Sequence, residues 1–138
     1  MSKNADQSAL AALFAAARAA QLKAYAPYSR FNVGAAIRTS SGAIFAGCNV
    51  ENAAYPQGAC AEAGAISAMA MAGERRIAEI LVIGDGEDLV TPCGGCRQRI
   101  REFAGPDTPI HIAGSEGVRA TFTLDELLPH SFGPEHLK

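Results

Sequence analysis

Apolar residues fall along this chain in two kinds of run: longer Ala- and Leu-rich stretches bounded by caps and glycines, and short aliphatic stretches bounded by turn residues. Residues 8–24 are of the first kind, with Asp6 or Ser8 placed to cap the start and Pro27 to close the end, and they predict a helix. Residues 31–39 and 43–48 are short apolar segments separated by Ser40-Ser41-Gly42, which predicts two strands joined by a hairpin turn. Residues 49–58 carry Asn52, Pro56 and Gly58 and read as an irregular loop. Ala-rich 60–72 has helical propensity and stops at Gly73, whereas 77–84 has the aliphatic density of a strand covered on both faces. A connecting loop at 85–92 leads into a helix at 93–104 that ends before Gly105-Pro106. Strands at 109–113 and 119–123 follow, then a turn or short helix at 125–128.

The resulting order, α-β-β-α-β-α-β-β, predicts an α/β fold with helices on both faces of a mixed sheet. A length of 138 residues suits one domain with a substantial core, so 1–138 is read as a single domain. Hydrophobic residues at 49% against charged residues at 19% place the chain among globular rather than disordered sequences. Twelve Lys and Arg against fourteen Asp and Glu leave a formal charge of −2, and the basic residues are scattered, so nucleic acid is not an expected partner. No apolar run approaches the roughly 18 residues of a membrane span. The stretch at 9–17 meets Arg18 without the basic leader of a secretory signal, so the sequence reads as cytoplasmic.

In that compartment four cysteines favour thiols or metal ligands over disulfides. Cys93 and Cys96 are spaced to grip one ion from a helix start, although such a pair alone also suits a redox couple or half of a structural zinc knuckle. Upstream, Ala59-Cys-Ala-Glu62 opens another predicted helix with a third thiol and a carboxylate two residues on. Three thiolates on Zn²⁺ leave one tetrahedral position open, which is the arrangement of a catalytic ion, and Glu62 is then the acid/base. Residues two apart inside a regular helix diverge by about 200°, so Cys60 and Glu62 can share a cavity only if Cys60 lies at the very first turn. Ala61 and Ala63 beside Glu62 suit a carboxylate held dry with a raised pKa.

Cys60-Ala-Glu62 and Pro92-Cys-Gly-Gly-Cys96 fit the all-Cys form of the zinc deaminase signature. With Tyr25-Ala-Pro-Tyr-Ser-Arg-Phe31, Val33-Gly-Ala-Ala36, Gly47-Cys-Asn-Val-Glu-Asn52 and the run from Pro92 to Phe103, the chain resembles the small homo-oligomeric cytidine deaminases over roughly residues 20–104. The resemblance implies a three-layer α/β/α cytidine deaminase-like fold with a five-stranded mixed sheet, and hydrolysis of cytidine and 2′-deoxycytidine in pyrimidine salvage. It implies Zn²⁺ on Cys60, Cys93 and Cys96, with Glu62 taking a proton from the attacking water and delivering it to N3 and then to the leaving amine. Asn49 and Glu51 would bind ribose hydroxyls, Phe31 would pack near sugar and base, and the Ala61 backbone would meet the base edge. It further implies a homotetramer whose subunits share active sites, with Tyr55 and Phe132 as groups lent to neighbouring pockets.

Ala63 departs from the pattern, since the family commonly has Arg there, against the ligand sulfurs. Three thiolates and Zn²⁺ sum to −1, and the expected compensation comes from the helix N-termini at Cys60 and Cys93 together with Arg97. Alternatives are an aminohydrolase for another nucleoside or cytosine-containing metabolite, a zinc-stabilised assembly protein that keeps the scaffold without turnover, and a zinc-stapled binding module in which Cys48 completes a four-sulfur site. His111, inside an apolar strand pattern, reads as a core or edge residue rather than a ligand.

Overall fold

The computed structural model describes residues 3–137. Helix α1 (Lys3–Gln21) leads into strands β1 (Val33–Thr39) and β2 (Ile44–Cys48), then α2 (Ala61–Met71), β3 (Ile77–Gly84), α3 (Gly94–Phe103), β4 (Pro109–Gly114), β5 (Gly117–Thr123) and the short α4 (Leu124–Leu127). The five strands form one sheet in the order β2-β1-β3-β4-β5, antiparallel except for the parallel pair β3 and β4, which α3 connects as a crossover. The expected mixed five-stranded α/β sheet is present.

Alternation along the strands builds two cores. Ala36, Leu81, Ile83 and Ala113 face α1, where Leu13 and Ala17 cover them. Ala35, Ile37, Ile80, Val82, Ile110 and Ile112 point the other way, into Ala61, Ala65, Ile66 and Met69 of α2 and Ile100 of α3. A three-layer α/β/α arrangement follows, and the continuous aliphatic reading of β3 reflects burial on both faces. Gly47 lets α2 approach β2 closely: a Cβ there would lie 2.4 Å from the Ala65 nitrogen and 2.6 Å from the Ala61 oxygen.

Several boundaries differ from expectation for visible reasons. Helix α1 ends at Gln21 rather than at 24, because Tyr25 is drawn into an extended bridge with Val50: its N–H donates to Asn49 O at 3.0 Å and its carbonyl accepts from Glu51 N at 2.8 Å. The first strand begins at Val33 rather than 31, since side chains replace the sheet ladder upstream. Asn49 Nδ2 donates to Phe31 O at 2.8 Å, and Asn32 N donates to Asp85 at 2.8 Å. The expected loop at 49–58 contains a 3₁₀ turn at Tyr55–Gln57. Strand β5 starts at Gly117, whose φ of 137° closes the tight turn from β4. His111 is a strand residue, as expected, and its Nε2 and Nδ1 lie 2.9 Å from Glu79 and Thr121 respectively.

Candidate active site and metal centre

Both helices on the second face begin at a cysteine. Cys60 is the N-cap of α2 (φ −76°, ψ 157°) and Cys93 the N-cap of α3 (φ −65°, ψ 167°), and neither sulfur is spent on a capping hydrogen bond. That extended entry meets the geometric condition on Cys60 and Glu62, because a cap residue lies outside the helical rotation that would turn the two side chains apart.

Cys96, three residues on, is fully buried. The Cys60 and Cys93 sulfurs are 3.8 Å apart, and the sulfurs of Cys60, Cys93 and Cys96 all lie within 4.8 Å of one another. Tetrahedral zinc with Zn–S bonds of about 2.3 Å spaces its sulfurs by about 3.8 Å, so these three soft donors fit that ion. Cys48 stands outside the group, with its thiol 3.7 Å from the Lys23 carbonyl, so the four-sulfur alternative is not built among the described residues.

Burial pushes the Cys60 and Cys96 thiols above their ordinary range, and the charge of Glu62 adds to the shift at both. At Cys93 burial also works against the thiolate, but the Cys96 backbone N–H and the neighbouring thiols outweigh it and the group is lowered. A divalent ion reverses this balance, since coordinating thiols are deprotonated outright, so metal binding here is coupled to proton release. Glu62 is 4% exposed. Burial raises its carboxyl above the usual range, opposed in smaller measure by its own backbone N–H, the Cys96 thiol and the Arg99 charge.

Cys60, Cys93 and Glu62 line the floor of a cavity of about 580 Å³, with Cys96 buried behind it. Val82, Val90 and Thr91 complete the inner wall, and Asn49, Glu51, Tyr28, Ser29 and Tyr55 stand around the rest. A space of that size suits a molecule as large as a nucleoside.

Residues 7–112 match the family described as the cytidine and deoxycytidylate deaminase zinc-binding region. The chain belongs to this deaminase family. A cytidine deaminase of Sporosarcina psychrophila is 40% identical over 125 residues, 91% of this chain and 92% of that protein. A probable cytidine deaminase of Dictyostelium discoideum is 38% identical over 135 residues, 96% of this chain and 89% of that one. The crystal structure of cytidine deaminase from Burkholderia pseudomallei superposes with a TM-score of 0.82 at 43% identity, covering 88% of this chain and 98% of that one.

The remaining residues singled out from the deaminase resemblance are placed unevenly. Asn49 and Glu51 line the cavity but already serve the backbone. Asn49 Oδ1 accepts from Val33 N at 2.9 Å, while Glu51 accepts from the N–H of Tyr28 at 2.9 Å and of Ser29 at 3.2 Å, and from the Ser29 hydroxyl. The Ser29 hydroxyl bond leads in holding the Glu51 carboxyl below its usual range. A carboxylate has about four lone-pair sites and a primary amide two N–H donors, so both side chains keep capacity for a ligand. Ala61 lines the floor beside Glu62. Tyr55, expected as a group lent to a neighbour, stands on the lip of its own cavity, 76% exposed and edge-on to Tyr28 at 6.1 Å.

Phe31 and Phe132 do not line this cavity. Phe31 is 38% exposed, and Phe132 is 56% exposed and stacked on His136 at 5.2 Å. The tail carrying Phe132 is tied to α3 by Gln98 Nε2 to Phe132 O at 2.9 Å and by Arg101 to Ser131 at 2.9 Å and Glu135 at 2.6 Å.

The expected role of Arg97 is corrected. Its guanidinium donates to Pro92 O (2.7 Å), Leu127 O (2.7 Å) and Thr91 Oγ1 (3.0 Å), away from the sulfurs. Arg99 makes the sulfur contact, with Nη1 donating to Cys96 Sγ at 3.4 Å. Neighbouring helix residues are about 100° apart, whereas residues three apart share a face, so Cys96 meets Arg99 and not Arg97. The (i, i+3) spacing was the signal available in the sequence.

Proposed function

We propose that this protein is a zinc-dependent hydrolase that converts cytidine and 2′-deoxycytidine to uridine and 2′-deoxyuridine with release of ammonia, as in pyrimidine salvage. One observation carries the reading: a buried carboxylate, Glu62, shares a cavity floor with sulfurs at zinc spacing. Cys60, Cys93 and Cys96 would hold the zinc, which when bound would supply the Lewis acidity that makes an attacking water available near neutral pH. Glu62 accepts that water's proton and gives it to N3 as oxygen adds to C4. It then moves the proton of the new C4 hydroxyl to the exocyclic amine, which leaves as ammonia when the C4–N bond breaks and the C4 carbonyl forms. The Ala61 backbone meets the base edge and Asn49 and Glu51 bind the ribose hydroxyls, while Phe31, outside the chain's own cavity, reaches a sugar only in the assembled oligomer.

A nucleoside fits better than a nucleotide, because no lysine or arginine among the described residues lines the cavity and the Glu51 carboxylate repels a phosphate there. The protein acts as a single domain in a homotetramer whose subunits share active sites. Exposed aromatics not spent on the chain's own cavity, Phe31 and Phe132, support that assembly, and light scattering should give four times the chain mass. A monomer of full activity would contradict it. A cytoplasmic location is in keeping with four unpaired cysteines and is checked by cell fractionation.

The deciding experiment incubates zinc-replete protein with cytidine, 2′-deoxycytidine, their 5′-monophosphates and free cytosine, following ammonia and the loss of the cytosine ultraviolet band. The two nucleosides should turn over well above the others. Turnover of another aminated substrate in their place would support the divergent aminohydrolase, and none at all the non-catalytic assembly protein.

A further inference from the structure

The ligand sulfurs have one guanidinium partner among the described residues, and it comes from outside the cavity. Arg99 lies one turn beyond Cys96 on α3, folds back toward the helix start and donates from Nη1 to Cys96 Sγ at 3.4 Å. Cys96 is fully buried in the folded chain, so no solvent water competes with Arg99 for its sulfur. Gly95 leaves the lane open, since a Cβ there would come within 3.3 Å of the same nitrogen. Arg99 lines no part of the cavity, and its hydrogen bond to the site is the one to the Cys96 sulfur.

The charge balance gives this contact a purpose. Three thiolates around a divalent ion carry one surplus negative charge, and the two helix N-termini offer only about half a charge each. Arg97 supplies its donors to Pro92, Thr91 and Leu127, and Arg101 supplies its donors to Ser131 and Glu135. Arg99 is therefore the full positive charge delivered to a ligand sulfur. A hydrogen bond from a cation draws electron density from the sulfur and fixes its direction, as partners of metal ligands generally do.

We propose that Arg99 is a positioning residue of the three-sulfur site, orienting the Cys96 sulfur and offsetting the surplus negative charge, and that it thereby sets the site's zinc affinity. This rests on the reading of Cys60, Cys93 and Cys96 as zinc ligands.

The test is zinc affinity, measured by competition with a chromophoric chelator for the full chain and for Arg99→Met, Arg99→Lys and Arg101→Met. Substituted partners of metal ligands typically cost about 10- to 100-fold in affinity, and Arg99→Met should show about tenfold given the exposed guanidinium. Arg99→Lys, which keeps the charge, should fall between Arg99→Met and the parent. Arg101→Met removes the same charge from the same helix without touching sulfur and should leave affinity unchanged. In cobalt-substituted protein the thiolate-to-metal charge-transfer band should shift in Arg99→Met and stay in place in Arg101→Met. Parental affinity in Arg99→Met, equal losses in Arg99→Met and Arg101→Met, or Arg99→Lys as weak as Arg99→Met would each overturn the proposal. Failure of the parent chain to bind zinc would instead remove the metal-site reading itself.

Discussion

The proposed chemistry turns on Glu62, and its surroundings suit a group that acts without holding metal. It is buried and raised by that burial, yet it lies in the first turn of α2, where unpaired N–H groups favour the ionised form. A carboxyl raised toward neutrality by burial is suited to take a proton and return it. Replacing Glu62 with Gln should lower turnover of cytidine by about 10²- to 10⁴-fold, with zinc content by elemental analysis unchanged. Loss of the metal together with activity would make Glu62 a ligand and defeat its assignment as acid/base. The grouping of Glu62 with Cys60, Cys93 and Cys96 was legible because backbone position decides it: a cap residue, a carboxylate two later and a Cys pair at a second cap. Arg97 was misread because proximity in sequence stood in for helical phase, and Arg99, at the right phase, was passed over.

Among the elements, β3 carries the most. Its aliphatic run supplies both cores, and its first half contributes to a polar row that crosses the sheet on the α1 side. Arg38 Nε contacts Glu79 at 3.1 Å, Glu79 meets His111 at 2.9 Å, and His111 meets Thr121 at 2.9 Å. The His111 bond leads in holding the Glu79 carboxyl below its usual range. A depressed carboxyl contributes stability above its unfolded value and loses it as pH falls through the folded one. Glu79→Gln should therefore cost about 1 kcal/mol in urea unfolding at pH 7, and the difference from the parent should shrink as pH falls below roughly 4. A gap that does not narrow at all on acidification would mean lost packing rather than lost charge. Periodicity and turn residues disclosed this sheet, but the partners of Glu79 depend on which strands become neighbours, and that register is a tertiary fact. The same holds at residues 22–32, where pairing of Tyr25 with Val50 ends α1 short of its propensity.

For the molecule as a whole, the site exists because α2 and α3 share one face of the sheet and bring their first turns together. Gly47 sets the depth of α2 against β2. The layered fold was readable from the order of elements, whereas the cavity was not, since its walls come from five separate stretches of chain. The placement of Phe132 was not readable either, because it depends on Gln98 and Arg101 reaching the tail across more than 30 positions.

The most direct measurement is zinc K-edge X-ray absorption on the zinc-loaded protein. Three sulfurs at about 2.3 Å and one oxygen or nitrogen at about 2.0 Å are predicted, the lighter atom marking the position left for the attacking water. A shell of four sulfurs, or of fewer than three, would contradict the account.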